Sequence, residues 1–225
     1  ILISLTENYS QGGKCSYKGS LVYDNAYLIA DHARAFVLET AGHLWAWKEL
    51  VGFDAISNSY SITDDYKRLD PESRKYLAPV NEQMACLDEA DAGRLGIKSS
   101  WKRHVESAFM RRLTNGDGRR AASLNALSSF GSLSAQEGTE QLFALLRSHK
   151  HKDARGAGEV PGLCCHDYDL LGNPSTASLA VSIPEDSGNF IVWFTGASYP
   201  CANLYKPVLC SGGSFIPLWE TYDYS

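Results

Sequence analysis

A chain of 225 residues supports one large domain or at most two small ones. With 44% hydrophobic and 21% charged residues, it has ordinary globular composition and ample material for a core. A net charge of −5 and no Lys/Arg patch argue against a nucleic-acid surface, and no apolar run reaches the ~18 residues of a membrane span.

The opening Ile1-Leu2-Ile3-Ser4-Leu5 has no initiator Met and no basic n-region. It is not a signal peptide and reads as the middle of a gene product. Ile1 to Tyr9 suits the end of a helix or an amphipathic stub, broken by Gln11-Gly12-Gly13-Lys14-Cys15. Strands are expected over the block 21–62. Asn25–Ala30 and Ala35–Thr40 flank a polar turn, Asp31-His32-Ala33-Arg34, and Trp45–Leu50 follows Ala41-Gly42-His43. Near-continuous apolar runs of this kind have both faces covered. The fourth run, Ala55–Ile62, carries Ser57-Asn58-Ser59 at its centre. Buried amides and hydroxyls need partners, so a strand with three of them has either a network or a task.

From Asp64 to Lys150 a helical insert (64–150) is predicted. Asp70-Pro71-Glu72 starts a helix. Ser100 caps another, with Trp101, Val105, Ala108, Phe109 and Leu113 on one face and Lys102, Arg103, Arg111 and Arg112 solvated on the other. Asn115-Gly116-Asp117-Gly118 should stop it. Ser134-Ala135-Gln136-Glu137 has capping-box spacing ahead of Leu142, Leu145 and Leu146. A polar, glycine-rich and mobile connector is expected over 149–162, with His149 and His151 as loop residues rather than metal ligands. Strands return over 176–219. Ala177–Ile183 and Asn189–Thr195 form a hairpin around Pro184–Gly188, Tyr205–Leu209 adds an edge strand, Ser211-Gly212-Gly213-Ser214 reads as flexible, and Phe215–Trp219 is a last short piece. Strands, helices, strands is the order of an α+β layered fold.

Several chemistries lack their motifs. There is no Gly-x-Ser-x-Gly elbow, no His-Glu-x-x-His or paired-Cys frame, and no Gly-x-Gly-x-x-Gly after a strand. Six cysteines over this length are not a disulfide scaffold, and Cys164-Cys165 is not a zinc spacing. A reducing, cytoplasmic compartment is expected, with no metal and no cofactor. Thiol chemistry remains open, although Cys15 and Cys201 read as inert internal thiols, and a vicinal Cys164–Cys165 disulfide would be strained.

Ser10-Gln11-Gly12-Gly13-Lys14-Cys15, Tyr27-Leu28-Ile29-Ala30-Asp31, Val37 to Ala46 and Ile56-Ser57-Asn58 resemble the secernins, relatives of the cysteine dipeptidases (peptidase family C69). The resemblance resumes at Gly162-Leu163-Cys164, Thr176-Ala177-Ser178, Thr195-Gly196-Ala197 and Tyr205-Lys206-Pro207, with order and spacing kept. It implies an N-terminal-nucleophile hydrolase: a four-layer αββα sandwich, of which residues 1–225 form the C-terminal part of one domain, lacking the nucleophile strands. In that superfamily an N-terminal Cys attacks an amide carbonyl with its own α-amine as base, a group whose reference pKa of ~7.7–8.0 suits the task. The nucleophile is then expected upstream of Ile1, on a missing N-terminal segment or second chain, and this chain alone should be inactive. Asn58 carries over as the catalytic oxyanion donor, with Glu39, Thr40 and Ser57 at the same end of the sheet binding a dipeptide-like amide. Where secernins tend to carry an Arg before the Thr-Ala-Ser segment, this chain has Asn173-Pro174-Ser175, which leaves dipeptide specificity open. The alternative is an inactive secernin-type regulatory or binding protein linked to secretion. A third reading makes Gly42-His43 and the tail a homo-oligomer contact.

Overall fold

Aromatic and β-branched residues stand among Ala and Leu in the first strand block, and the hairpins predicted there are present. The computed structural model describes residues 1–9, 24–84, 100–106, 115–152, 159–166, 174–184 and 188–218. Among these the chain is α+β, with two four-stranded antiparallel sheets and five helices. It divides into two compact units, Ile1–Ala30 with Arg34–Asp117, and Asp31–Ala33 with Gly118–Ser225. No helix among the described residues is long and apolar enough to cross a membrane. The Gln11–Cys15 break and the positions of Ala108, Phe109, Arg111, Arg112 and Leu113 lie outside the described residues.

In the first unit β1 (Asn25–Ala30), β2 (Ala35–Ala41) and β3 (Leu44–Leu50) form an antiparallel meander. Gly42 closes the β2–β3 turn at φ 61°, a region that favours glycine. Registered pairs place Val37, Glu39, Ala46 and Lys48 on one face. There Val37 and Ala46 join Ile62, Leu69, Leu77 and Trp101 in the buried core, and each larger aliphatic contributes roughly 1.5–3 kcal/mol. The expectation of two covered faces holds for β2, whose Val37-Leu38-Glu39-Thr40 are all buried. It fails for β1, where Leu28 and Ile29 are exposed, because β1 is the sheet's edge.

The fourth strand is not the expected one. β4 is Arg68–Leu69, paired with Ala46 and Trp47, whereas Ala55–Ile62 is irregular and bends at Asn58-Ser59. Its hydroxyls find partners away from any ladder: Ser57 Oγ donates to the Gly116 carbonyl at 2.8 Å and Ser59 Oγ to Asp117 at 3.0 Å.

Helix α1 (Leu2–Tyr9) packs on β3. Trp45 Nε1 donates to Glu7 at 2.9 Å. His43 Nδ1 lies 3.3 Å and 3.0 Å from the Thr6 and Glu7 carbonyls, so its ring serves the end of this helix. Helix α2 (Pro71–Met84) starts where predicted. The buried Asp70 accepts from Glu72 N and Ser73 N through Oδ1, and from Trp45 N through Oδ2. The predicted cap of α3 (Trp101–Val105) is also present, Ser100 accepting from Arg103 N.

Lys48 is buried between Asp54, at 3.0 Å, and Asp65, at 2.8 Å. Burial alone would lower its pKa, but hydrogen bonds and charge from Asp65 and Asp54 raise it above the usual value. Asp54 is as buried as Lys48, while Asp65 is 47% exposed. Lys48→Ala is therefore expected to destabilise by about 3 kcal/mol, since it removes the counter-charge of a buried carboxylate. Asp65→Ala should cost at most about 1 kcal/mol. Urea midpoints of the two variants check the ordering.

Helix α4 (Gly116–Leu127) begins at the Asn-Gly-Asp-Gly segment where a stop is predicted. In the second unit α5 (Ala135–Leu146) opens with the predicted capping box, Ser134 and Glu137 bonding reciprocally. The connector contains a short ladder, β5 (His151–Lys152) with β6 (Glu159–Val160). The hairpin of β7 (Ser178–Ser182) and β8 (Phe190–Thr195) is as expected. β9 (Lys206–Ser211) is interior rather than an edge, pairing with β8 and with β10 (Ser214–Pro217). It tolerates Pro207 because that residue faces the end of β10, its carbonyl accepting from Leu218 N at 3.0 Å. Gly212 and Gly213, at φ 55° and 82°, form the two-residue turn between β9 and β10. Helix α5 covers one sheet face, Phe143 stacking on Tyr205 and meeting Trp193 edge-on.

Candidate functional site

The four residues predicted for the site, Glu39, Thr40, Ser57 and Asn58, all belong to the first unit. β2 delivers Glu39 fully buried onto the core face. Its carboxylate accepts from Ser61 N at 2.6 Å, Ser61 Oγ at 2.8 Å and Ile62 N at 3.0 Å. Burial pushes the Glu39 carboxyl up, and these bonds, with the Lys48 charge, only partly pull it back. Thr40 is also fully buried, its Oγ1 donating to the Asn25 carbonyl at 3.2 Å. Both side chains are thus occupied inside the unit: Glu39 holds the segment that follows Asn58, and Thr40 ties β2 to β1.

Other bonds hold the loop bearing Asn58 as well. Tyr60 N donates to Glu106 at 3.1 Å, and Tyr60 Oη donates to the Thr40 carbonyl at 3.1 Å. Burial, then the Asp24, Glu39 and Glu106 charges, push the Tyr60 phenol well above its ordinary range, which keeps it a donor. Ser57 Oγ also lies 3.3 Å from Ser59 Oγ. Gly116 packs so tightly that a Cβ there would come within 2.6–2.8 Å of Ser59 and of the Asn58 backbone. Between Asp54 and Ile62, Asn58 alone is exposed. The loop is therefore held on both sides of one exposed carboxamide.

A second convergence lies in the second unit and is not legible in the sequence. His149, Cys164, His166 and Cys201 bring their ring nitrogens and thiols within 4.8 Å of one another. Burial raises the Cys164 thiol pKa. Cys164, Cys165, Cys201 and Cys210 are free thiols, so the adjacent pair is not bridged. The backbone that carries this cluster is stitched together locally. Cys164 N donates to the Ser148 carbonyl at 2.9 Å, and Arg147 donates to the Pro200 and Asn203 carbonyls at 3.2 and 2.7 Å. Cys201 sits in a 3-10 turn, Pro200–Ala202, entered through Tyr199 at φ 62°. His149, expected as a loop residue, lies 3.2 Å from His166.

No protein-family model matches the chain, and no solved structure matches it.

Proposed function

We propose that the chain is the C-terminal part of a secernin-like thiol amidohydrolase. Its nucleophilic Cys would be carried upstream or on a second chain, and it would act on C–N bonds of small, dipeptide-like amides. The observation that carries this reading is the Asn58 loop: one exposed carboxamide on a segment fixed by Glu39, Glu106, Asp117 and Gly116. Such a group acts as an oxyanion donor because it needs no reorganisation when charge develops.

The second sheet supports the layered fold expected of that class. α5 covers one face, while the other presents Leu179, Val181 and Phe215, exposed and apolar, beside Val192, Phe194 and Val208. An apolar sheet face is what a second layer of a sandwich buries. We place the protein in the cytoplasm on the same reading of its cysteines.

Dipeptide hydrolysis by the full-length gene product tests the proposal. Asn58→Ala is expected to lower kcat/KM by ~10²–10³, with the circular dichroism spectrum unchanged. Unchanged turnover would remove Asn58 from the mechanism. Absence of hydrolysis, together with no upstream Cys able to become an N-terminal residue, would favour the inactive secernin-type regulatory protein instead.

A further inference from the structure

We infer that His149, Cys164, His166 and Cys201 form a structural zinc site in the second unit. His166 Nε2 lies 3.2 Å from His149 Nε2, 3.6 Å from Cys164 Sγ and 3.2 Å from Cys201 Sγ. One imidazole nitrogen offers a single hydrogen or a single lone pair, so it cannot satisfy three such neighbours by hydrogen bonding. Two imidazole nitrogens and two thiol sulfurs gathered within 4.8 Å of one another suit a cation among them.

The spacing fits zinc in particular. Tetrahedral Zn–N and Zn–S bonds of ~2.0–2.1 and ~2.3 Å place ligand atoms roughly 3.3 Å apart for two nitrogens and 3.6 Å for nitrogen and sulfur. The observed 3.2, 3.6 and 3.2 Å from His166 Nε2 match these edges to within a few tenths of an ångström, while the remaining pairs, within 4.8 Å, close by up to about an ångström when the ion binds. Two thiolates and two neutral imidazoles leave the bound ion neutral, each cysteine losing its proton on coordination. Soft sulfur with imidazole selects zinc over magnesium or calcium, and four protein ligands close the shell, as in structural rather than catalytic sites.

The surroundings hold the ligands before any ion arrives. Gly162 lies against the His149 backbone, Ser148 accepts from Cys164 N, and Arg147 fixes both ends of the Cys201 turn. The His166 ring rests against Tyr199, centroids 4.5 Å apart.

The test is elemental analysis of the full-length protein, purified from zinc-supplemented medium and dialysed against a weak chelator. About one zinc per chain is expected. Cys201→Ser and His166→Ala should lose it, and Cys165→Ser should retain it. Cobalt added to metal-stripped protein should give the intense visible absorption of a tetrahedral thiolate site, absent in Cys201→Ser. Should either variant fail to fold, the wild-type stoichiometry and cobalt spectrum still decide. Zinc far below one per chain would overturn the inference, as would a weak octahedral cobalt spectrum or a Cys164–Cys201 disulfide in the purified protein. The inference does not depend on amidohydrolase activity, and loss of one reading leaves the other standing.

Discussion

Glu39→Ala is expected to destabilise the first unit by roughly 3–5 kcal/mol, because it leaves three buried donors without an acceptor. Those donors, Ser61 N, Ser61 Oγ and Ile62 N, now share one carboxylate. Water has no ready route to replace it, since Glu39, Ser61 and Ile62 are all buried. Glu39→Gln keeps one acceptor oxygen and should lose about half as much. Urea denaturation gives both values, and a Glu39→Ala cost under about 1 kcal/mol would mean that the loop is not held from this side.

The pH dependence has a definite sign. The native carboxyl titrates above its ordinary value of 4.5, so between the two values the folded state binds more protons than the unfolded state. This contribution to stability is complete below 4.5 and is lost as pH rises through the native value. The difference in unfolding free energy between wild type and Glu39→Gln should therefore shrink from pH 4.5 upward and then level off. A difference independent of pH would mean that burial does not dominate at Glu39.

Local chemistry made much of this architecture legible in the sequence. Asp70-Pro71-Glu72 and Ser134-x-x-Glu137 mark helix starts because a cap needs only its own next three residues. The β2–β3 and β7–β8 hairpins follow from strand composition and turn residues. What local pattern does not reveal depends on distant partners. Ser57 and Ser59 look like strand residues until Gly116 and Asp117, 59 and 58 residues away, supply their bonds. Asn115–Gly118 looks like a stop because Asn at φ 49° and glycine serve both ends of helices. There the glycine is required by its contact with Ser59 and starts α4. Only the resemblance points to Asn58, and its exposure is visible only in three dimensions. The His/Cys cluster joins residues 17, 2 and 35 positions apart, a pattern no short motif contains.

Gly162→Ala is the second large expected effect. A Cβ at Gly162 would fall 2.3–2.5 Å from the His149 backbone and the Ser148 carbonyl. Those neighbours are main-chain atoms, so relief requires moving the segment rather than turning a side chain. Overpacking of this kind costs about 1–3 kcal/mol, and the Ser148–Leu163 and Ser148–Cys164 bonds would be disturbed with it. A loss of about 3 kcal/mol is expected. Gly138→Ala supplies the contrast. Gly138 lies inside α5 with nothing within 4 Å of the added carbon, so helix propensity alone should stabilise by up to about 1 kcal/mol. Thermal unfolding of both variants measures the pair, and similar melting temperatures would show that the Gly162 contact relaxes freely.

Asp70 binds the start of α2 with one oxygen and the backbone of Trp45 with the other, while its own N–H donates to the Trp45 carbonyl. Opening the first turn of that helix therefore breaks the bond to β3 in the same event. Amide protons of Glu72, Ser73 and Trp45 should exchange with solvent as one cooperative group, at a common free energy of opening. In Asp70→Ala the amides of Glu72, Ser73 and Trp45 all lose this acceptor and should exchange faster, while the β3 amides bonded to β2 keep their protection, so a single carboxylate ties the helix start to the strand.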